Sequence, residues 1–201
     1  MELVFPDGDY AGVIFDCDGT LVDSMPVHYR AWQKVLEIVE HPRLFSEEAF
    51  YDLGGVPTDR LVEILNQRAG TDHDPEELSR LKEEMYLDLL PEVPPIEPVV
   101  RYARSQVGKR PVSVASGGEA YVVDRALVGA GIRDLFPVVV TANQVEHGKP
   151  APDMFLLAAE RMGVDPVGCL VLEDAELGRQ AAVAAGMDCM MIPNALERRR
   201  G

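Results

Sequence analysis

The sequence predicts an α/β fold: a parallel sheet covered by helices on both faces, with a helical unit inserted into it. Three observations predict this. Five short apolar runs, at 11–15, 112–115, 138–140, 170–172 and 189–192, have the length of core strands, and helical patterns separate most of them. Strands alternating with helices at this spacing require right-handed crossovers and a sheet buried on both sides. Between the first two runs lie about 90 residues, far more than the dozen or so that a crossover needs.

The first run, Val13-Ile14-Phe15, ends in Asp16-Cys17-Asp18-Gly19-Thr20. An apolar run bounded by glycine reads as a buried strand, and such strands rarely finish on two acids unless a cation satisfies them. The natural partner is a divalent metal. Cys17 between the acids invites a catalytic reading, but alternation along an extended segment turns it away from them. The inserted unit carries three helical stripes: Trp32, Val35, Leu36 and Val39; Leu61, Ile64 and Leu65; and Leu78, Leu81, Met85 and Leu89. Asp74, Pro75 and Glu77 read as a capping-box start for the third helix. Residues 21–26 form the outgoing linker and the Pro-rich 91–95 the return, so a core domain is expected at 1–22 and 94–201, with the insert at 23–93.

The second run leads into Ser116-Gly117-Gly118, and the third is followed by Gly148-Lys149-Pro150. A helix is expected over 152–162, with a proline at its first position and Gly163 as its stop. The fourth run ends in Glu173-Asp174. Ligands of parallel sheets sit beyond the carboxyl ends of the strands, so all of these endings converge at one edge.

Composition narrows the partners. The chain has 201 residues, enough for one main domain and an accessory one. With 19 basic and 34 acidic residues the net charge is -15, which disfavours nucleic acid. Arg198-Arg199-Arg200 reads as a solvated tail. Such a surface repels an anionic substrate at long range, so phosphate binding needs local help from a metal, Lys149 and backbone amides. Without a signal peptide or a long apolar span, no membrane role is expected. Cys17, Cys169 and Cys189 have apolar neighbours and fit reduced, buried thiols in a cytoplasmic protein.

Carboxylates, a hydroxyl beside small-residue amides and one ammonium around a point suit phosphoryl transfer. Mg²⁺ takes oxygen ligands, for which Asp16, Asp174 and a backbone carbonyl near Asp18 are a reasonable share. Either Glu173 or Asp174 can be the direct ligand, with the other behind it. Lys149 and the metal keep Asp16 ionised for attack on phosphorus. Asp18 protonates the leaving alcohol and then activates water. Ser116 and the Gly117 amide bind the transferring oxygens. The plainer alternatives are a turn at Asp16 and Asp18, a helix N-cap at Ser116 and a surface lysine at Lys149.

These four elements, in this order, resemble those of the haloacid dehalogenase-like phosphotransferase superfamily: Asp16-Cys17-Asp18-Gly19-Thr20-Leu21-Val22-Asp23-Ser24, Ser116-Gly117, Lys149-Pro150-Ala151-Pro152-Asp153 and Leu172-Glu173-Asp174-Ala175. The resemblance covers nearly the whole chain. It implies a three-layer Rossmann-like core, a helical cap of the C1 type, Mg²⁺, an aspartyl-phosphate at Asp16 and a monomer. Within the superfamily the chain is similar to the β-phosphoglucomutase subgroup, and most to its fructose-1-phosphate and 6-phosphogluconate phosphatases. That likeness rests on the stretch from Pro26 through His28 to Trp32, on Leu53-Gly54-Gly55-Val56-Pro57-Thr58, on 82–86 and on His147-Gly148-Lys149. Thr58 departs from the arginine the mutases carry there, and a threonine cannot grip a second phosphate as a guanidinium does. His28 and Lys82 match cap positions that tie cap closure to the orientation of Asp18, or are plain cap-interface residues. The expected activity is Mg²⁺-dependent hydrolysis of small phosphorylated metabolites, sugar phosphates such as fructose 1-phosphate among them. A sugar phosphomutase is the nearest rival, and an inactive binding or regulatory module the rival of a different class.

Overall fold

The computed structural model describes residues 3–6, 8–41, 46–56 and 58–200. Its strands β1 (Gly12–Phe15), β2 (Val112–Ser116), β3 (Val138–Thr141), β4 (Cys169–Glu173) and β5 (Asp188–Met191) form one sheet in the order β3-β2-β1-β4-β5. All pairings are parallel. The chain runs outward from β1 to β3 and then crosses back to β4, so the order reverses at β1. Loops part at such a reversal and leave a crevice beyond the carboxyl ends of the strands.

Alternation along β1 sorts the layers. Val13 and Phe15 point to one face, where they pack with α5 (Glu97–Gln106) and α6 (Ala120–Gly129) through Val99, Val100, Val123 and Leu127. Ile14 points to the other, against α7 (Asp153–Met162) and α8 (Glu176–Ala184) through Met154, Phe155, Ala158, Ala181 and Ala182. Phe15 and Phe155 have no exposed surface, and burying a side chain of that size contributes about 1.5–3 kcal/mol. The three layers follow from a strand that is apolar on both faces.

The insert between β1 and β2 contains α1 (Met25–Ile38), α2 (Glu47–Tyr51), α3 (Thr58–Ala69) and α4 (Pro75–Leu89). These helices have a cluster of their own around Trp32, Leu36, Phe50, Leu61 and Leu78. Val27, Ala31, Tyr86 and Leu89 belong instead to the main core, so α1 and α4 join the two. The outgoing and returning chains lie side by side, with the Asp23 N–H donating to the Pro94 carbonyl at 2.9 Å.

Several expectations are met and several shift. Asp74 caps α4 by accepting from the Glu76 and Glu77 N–H groups at 2.8 and 3.2 Å. Gly163 ends α7 with φ 70°, a left-handed conformation that glycine enters without a Cβ penalty. Pro152 stands just before that helix, not in it. On α3 the third buried residue is Val62, not Ile64. On α4 the buried side chains are Leu78, Lys82, Tyr86 and Leu89, while Leu81 and Met85 are partly buried against the insert's own cluster. That helix is flanked by both α1 and α3, so a single apolar stripe does not describe it.

The three terminal arginines do not form a tail of coil, and two of them are paired. They end a short helix, α9 (Ala195–Arg200), from which Arg198 pairs with Asp23 at 2.6 Å and Arg199 with Glu47 at 2.9 Å. The C-terminus is thereby tied to the outgoing linker and to α2. Among the described residues no helix is long and apolar enough to cross a membrane. Cys17, Cys169 and Cys189 are free; the first two are buried and the third half-buried.

Candidate active site

Asp16 follows β1 directly and still joins the ladder, its N–H donating to the Leu172 carbonyl at 2.9 Å. Its carboxylate lies at the centre of the sheet edge, 6% exposed. The chain then turns sharply: the Cys17 carbonyl accepts from the Leu21 and Val22 N–H groups at 2.9 and 3.1 Å. Gly19 allows this turn, with φ 86°. A Cβ at Gly19 would stand 2.0 Å from Asp174 Oδ2, so only glycine fits between the two loops.

Lys149 reaches this edge from the loop before α7. Its Nζ lies 2.6 Å from Asp16 Oδ1 and 2.6 Å from Glu173 Oε1, with all three side chains buried. The other Glu173 oxygen accepts from the Ala175 N–H at 2.6 Å. Carboxylate oxygens of Asp16, Glu173 and Asp174 lie within 4.8 Å of one another. Three acids, Asp16, Glu173 and Asp174, thus gather beside one ammonium. Burial above all, opposed by Lys149 and reinforced by the neighbouring Glu173 and Asp18 charges, raises the Asp16 carboxyl to about 8. Asp174 is raised too, first by burial and then by Glu173 and Asp16. Burial alone would lower Lys149, but Asp16 and Glu173 hold it well above the ordinary lysine range. Lys149 does not balance the site, and these acids fit a divalent cation that takes oxygen ligands.

Asp18 has a different environment. Its Oδ1 accepts from the Ser24 hydroxyl at 2.7 Å and lies 3.4 Å from His28 Nε2, while Oδ2 is 3.5 Å from the Ser116 hydroxyl. Burial raises this carboxyl, but His28, the Ser24 hydrogen bond and the Lys82 charge outweigh it and hold it at about 2. His28 is itself pushed down, by burial and then by Lys82. Near neutrality His28 is therefore chiefly a neutral hydrogen-bonding partner, stacked on Tyr86 at 3.8 Å between ring centroids. As it stands Asp18 is ready to accept a proton.

Ser116 is the last residue of β2 and its hydroxyl accepts from the Gly118 N–H at 3.1 Å. It does not cap α6, whose N-cap is Glu119. Asp16, Asp18, Ser116, Gly117, Lys149, Glu173 and Asp174 share one cleft of about 330 Å³ with His28, Thr58 and Lys82 from the insert. That volume suits a small ligand. Gly55 brings the insert down onto the sheet edge, where a Cβ would meet Ala175 and Leu177 at 3.5 and 3.3 Å. Pro57, named with that loop, lies outside the described residues.

Sequence reasoning placed Ser24 in the outgoing linker and at the end of the first motif, gave it no role in the chemistry and missed its hold on Asp18. It set Trp32 in an apolar helical stripe, and this residue also lines the cleft. It passed over Gly178 altogether. A Cβ there would stand 1.8 Å from Glu173 Oε1. The available signal was a glycine inside a helix, which costs about 0.5–1 kcal/mol relative to alanine and so wants a reason. Gly178→Ala is expected to displace Glu173, and with it Lys149, lowering kcat/KM about tenfold or more. A variant with unchanged kinetics and a raised Tm would mean that Glu173 can move without consequence.

Comparison with known proteins agrees with this geometry. The family model of the haloacid dehalogenase-like hydrolases matches residues 10–186. The chain is 43% identical over 182 residues to the fructose-1-phosphate phosphatase YqaB of Escherichia coli (strain K12), covering 90% of this chain and 95% of that one. It is 29% identical to the β-phosphoglucomutase of Bacillus subtilis (strain 168), over 87% of this chain and 80% of that one. Among solved structures, CbbY from Rhodobacter sphaeroides in complex with phosphate shares the fold with a TM-score of 0.83 at 22% identity, over 94% of this chain and 88% of that one.

Proposed function

We propose, starting from the fact that the chain belongs to the haloacid dehalogenase-like hydrolase family and is a phosphatase, that it hydrolyses small phosphorylated sugars through a phosphorylated Asp16. The observation that carries this reading is the set of Asp16, Glu173 and Asp174 oxygens within 4.8 Å of one another, beside Lys149 and the Ser116–Gly117 turn. The cleft volume and the name of the Escherichia coli relative support a sugar phosphate.

Asp16, Asp174 and the Asp18 main chain would hold the cation, with Glu173 behind them as the anchor of Lys149. When bound, a divalent ion such as Mg²⁺ supplies the positive charge that offsets an incoming phosphate. Lys149 keeps Asp16 in place and, together with the cation, would keep it ionised. The Ser116 hydroxyl and the Gly117 amide hold the transferring oxygens. Asp16 attacks phosphorus as the ester P–O bond breaks, and the leaving oxygen takes a proton from Asp18. Asp18 then removes a proton from the water that cleaves the aspartyl-phosphate. Its acid role needs a proton gained as the anionic substrate arrives, because the carboxyl is ionised in the free protein. Ser24 and His28 aim it for both steps.

The insert, 23–93, acts as a cap, with its hinges at the paired strands of chain around Asp23 and Pro94. The buried free thiols of Cys17 and Cys169 support a reducing, cytoplasmic setting. Thr58 lines the cleft where a mutase needs a guanidinium, which supports hydrolysis over isomerisation. Phosphate release from a panel of metabolite phosphates with Mg²⁺ tests the reading. Glucose 1-phosphate with a trace of bisphosphate should give no isomerised sugar; isomer in place of free phosphate would sink the proposal.

Cation binding should be linked to protons. Without metal, Asp16 holds a proton in the folded state between its ordinary value and about 8, and the unfolded chain does not. Stability then falls as pH rises through that window. A cation displaces the proton and removes the loss. Added Mg²⁺ is expected to raise Tm more at about pH 8 than at about pH 5. A shift of equal size at both would place the ion elsewhere.

A further inference from the structure

Asp18, the proposed acid and base, is held by residues of the outgoing linker, and that linker is held in turn from the far end of the chain. The Ser24 hydroxyl donates to Asp18 Oδ1 at 2.7 Å, and Ser24 has no exposed surface. Its carbonyl accepts from the Val27 and His28 N–H groups, each at 2.9 Å, so the same residue seats His28, the other neighbour of that oxygen. Asp23 precedes it. The Asp23 carboxylate accepts from the Arg198 guanidinium at 2.6 Å, and a second nitrogen of that guanidinium donates to the Pro193 carbonyl. Pro193 follows Ile192, which is 1% exposed and whose N–H donates to the Glu173 carbonyl at 2.7 Å. The helix that carries Arg198 begins with a reciprocal cap between Asn194 and Glu197, at 2.8 and 3.1 Å. Arg198 thus joins the tip of β4 to the point where the chain leaves the core.

From this we infer that Arg198 is a positioning residue for the reaction: through Asp23 it fixes the linker so that Ser24 and His28 aim Asp18 at the leaving oxygen. The inference rests on the phosphatase reading and adds to it a residue that touches neither substrate nor the reacting atoms. Asp23 lies at the hinge, where the bond from its N–H to the Pro94 carbonyl leaves the linker free to pivot. A guanidinium is a planar fork, and with one nitrogen on the Pro193 carbonyl and another on Asp23 it removes that freedom. The effect on rate is large because a misplacement of about 1 Å can cost about a hundredfold. Arg199, the next residue, offers the contrast. It pairs with Glu47 on α2, with side chains 52% and 29% exposed, and exposed pairs of this kind contribute little.

The test uses the leaving group. Fructose 1-phosphate, or whichever metabolite phosphate the panel finds best, expels an alcohol oxygen that needs a proton, whereas p-nitrophenyl phosphate expels a phenolate that leaves without one. Because kcat/KM covers only the steps up to that departure, hydrolysis of the phosphoenzyme does not enter. Arg198→Met should lower kcat/KM for the sugar phosphate about tenfold or more, and for p-nitrophenyl phosphate by no more than about twofold. Asp23→Asn should show the same split, and the double variant should be no worse than either change alone, since the two residues act as one unit. Arg199→Met, which removes the same charge from the same helix, should leave both rates within about twofold. Equal losses on both substrates in Arg198→Met would make the residue merely structural and overturn the inference. Unchanged rates, or losses that multiply in the double variant, would overturn it too. Should Arg198→Met fail to fold, the split in Asp23→Asn decides. If the unaltered protein releases phosphate from neither the panel nor p-nitrophenyl phosphate with Mg²⁺ present, the phosphatase reading is what fails.

Discussion

Asp16→Asn is expected to lower turnover by at least about a thousandfold, near 4 kcal/mol in the barrier, and to leave the protein folded. The change is nearly isosteric, but the amide is a poor nucleophile and cannot form the phosphoenzyme. Stability should survive because Lys149 keeps Glu173 at 2.6 Å, and because a buried carboxyl whose ionisation burial already opposes is removed. Steady-state phosphate release with p-nitrophenyl phosphate measures the first part, and thermal melting the second. Turnover within about tenfold of the unaltered protein would exclude Asp16 as nucleophile.

Lys149→Met is expected to damage both activity and stability, and to do so in a pH-dependent way. Removing one partner of a buried ion pair typically costs about 3–5 kcal/mol, because the other charge is left without compensation. Here two carboxylates are stranded, Asp16 and Glu173. Asp16 already holds a proton up to about 8 in the unaltered protein, and without Lys149 to pull it down it holds that proton higher still, so the folded variant binds a proton that the unfolded chain does not over a wider range. Its stability then falls as pH rises. In the unaltered protein Lys149 contributes steadily across neutral pH, since its raised folded value means that contribution is lost only above the ordinary lysine range. The Tm deficit of Lys149→Met should therefore be smaller at about pH 5 than at about pH 9. Equal deficits would mean that Lys149 acts by packing on Phe155, whose ring centroid is 5.1 Å from Nζ. At neutral pH kcat/KM should fall about a hundredfold or more, the ion pair being absent when Asp16 must attack.

What could be read in advance follows a physical division. Strands and the residues at their tips were legible because an apolar run ending in acids is a local contradiction, as at Asp16 and at Glu173-Asp174, while Ser116 ends its run on a hydroxyl and Lys149 follows the third run at the end of a loop. The parallel sheet then forces them together whatever the side-chain detail. Helix α4 was legible as a helix but not as a surface. Burial of Lys82 in preference to Leu81 depends on packing between α1 and α3, which no hydrophobic period encodes. Gly178 and Ser24 act through other residues, on Glu173 and Asp18 in turn, and their importance exists only in three dimensions. The terminal arginines misled for the same reason: a basic end looks solvated until Asp23 and Glu47 are seen opposite it.

Cys17 has no exposed surface and is held between the two aspartates in a turn that its own carbonyl stitches together. An alkylating reagent can reach that sulfur only when the turn comes apart. Its modification rate is thus a built-in clock for opening at the base of the site. The half-buried Cys189, on the outermost strand, supplies the reference against which that clock is read.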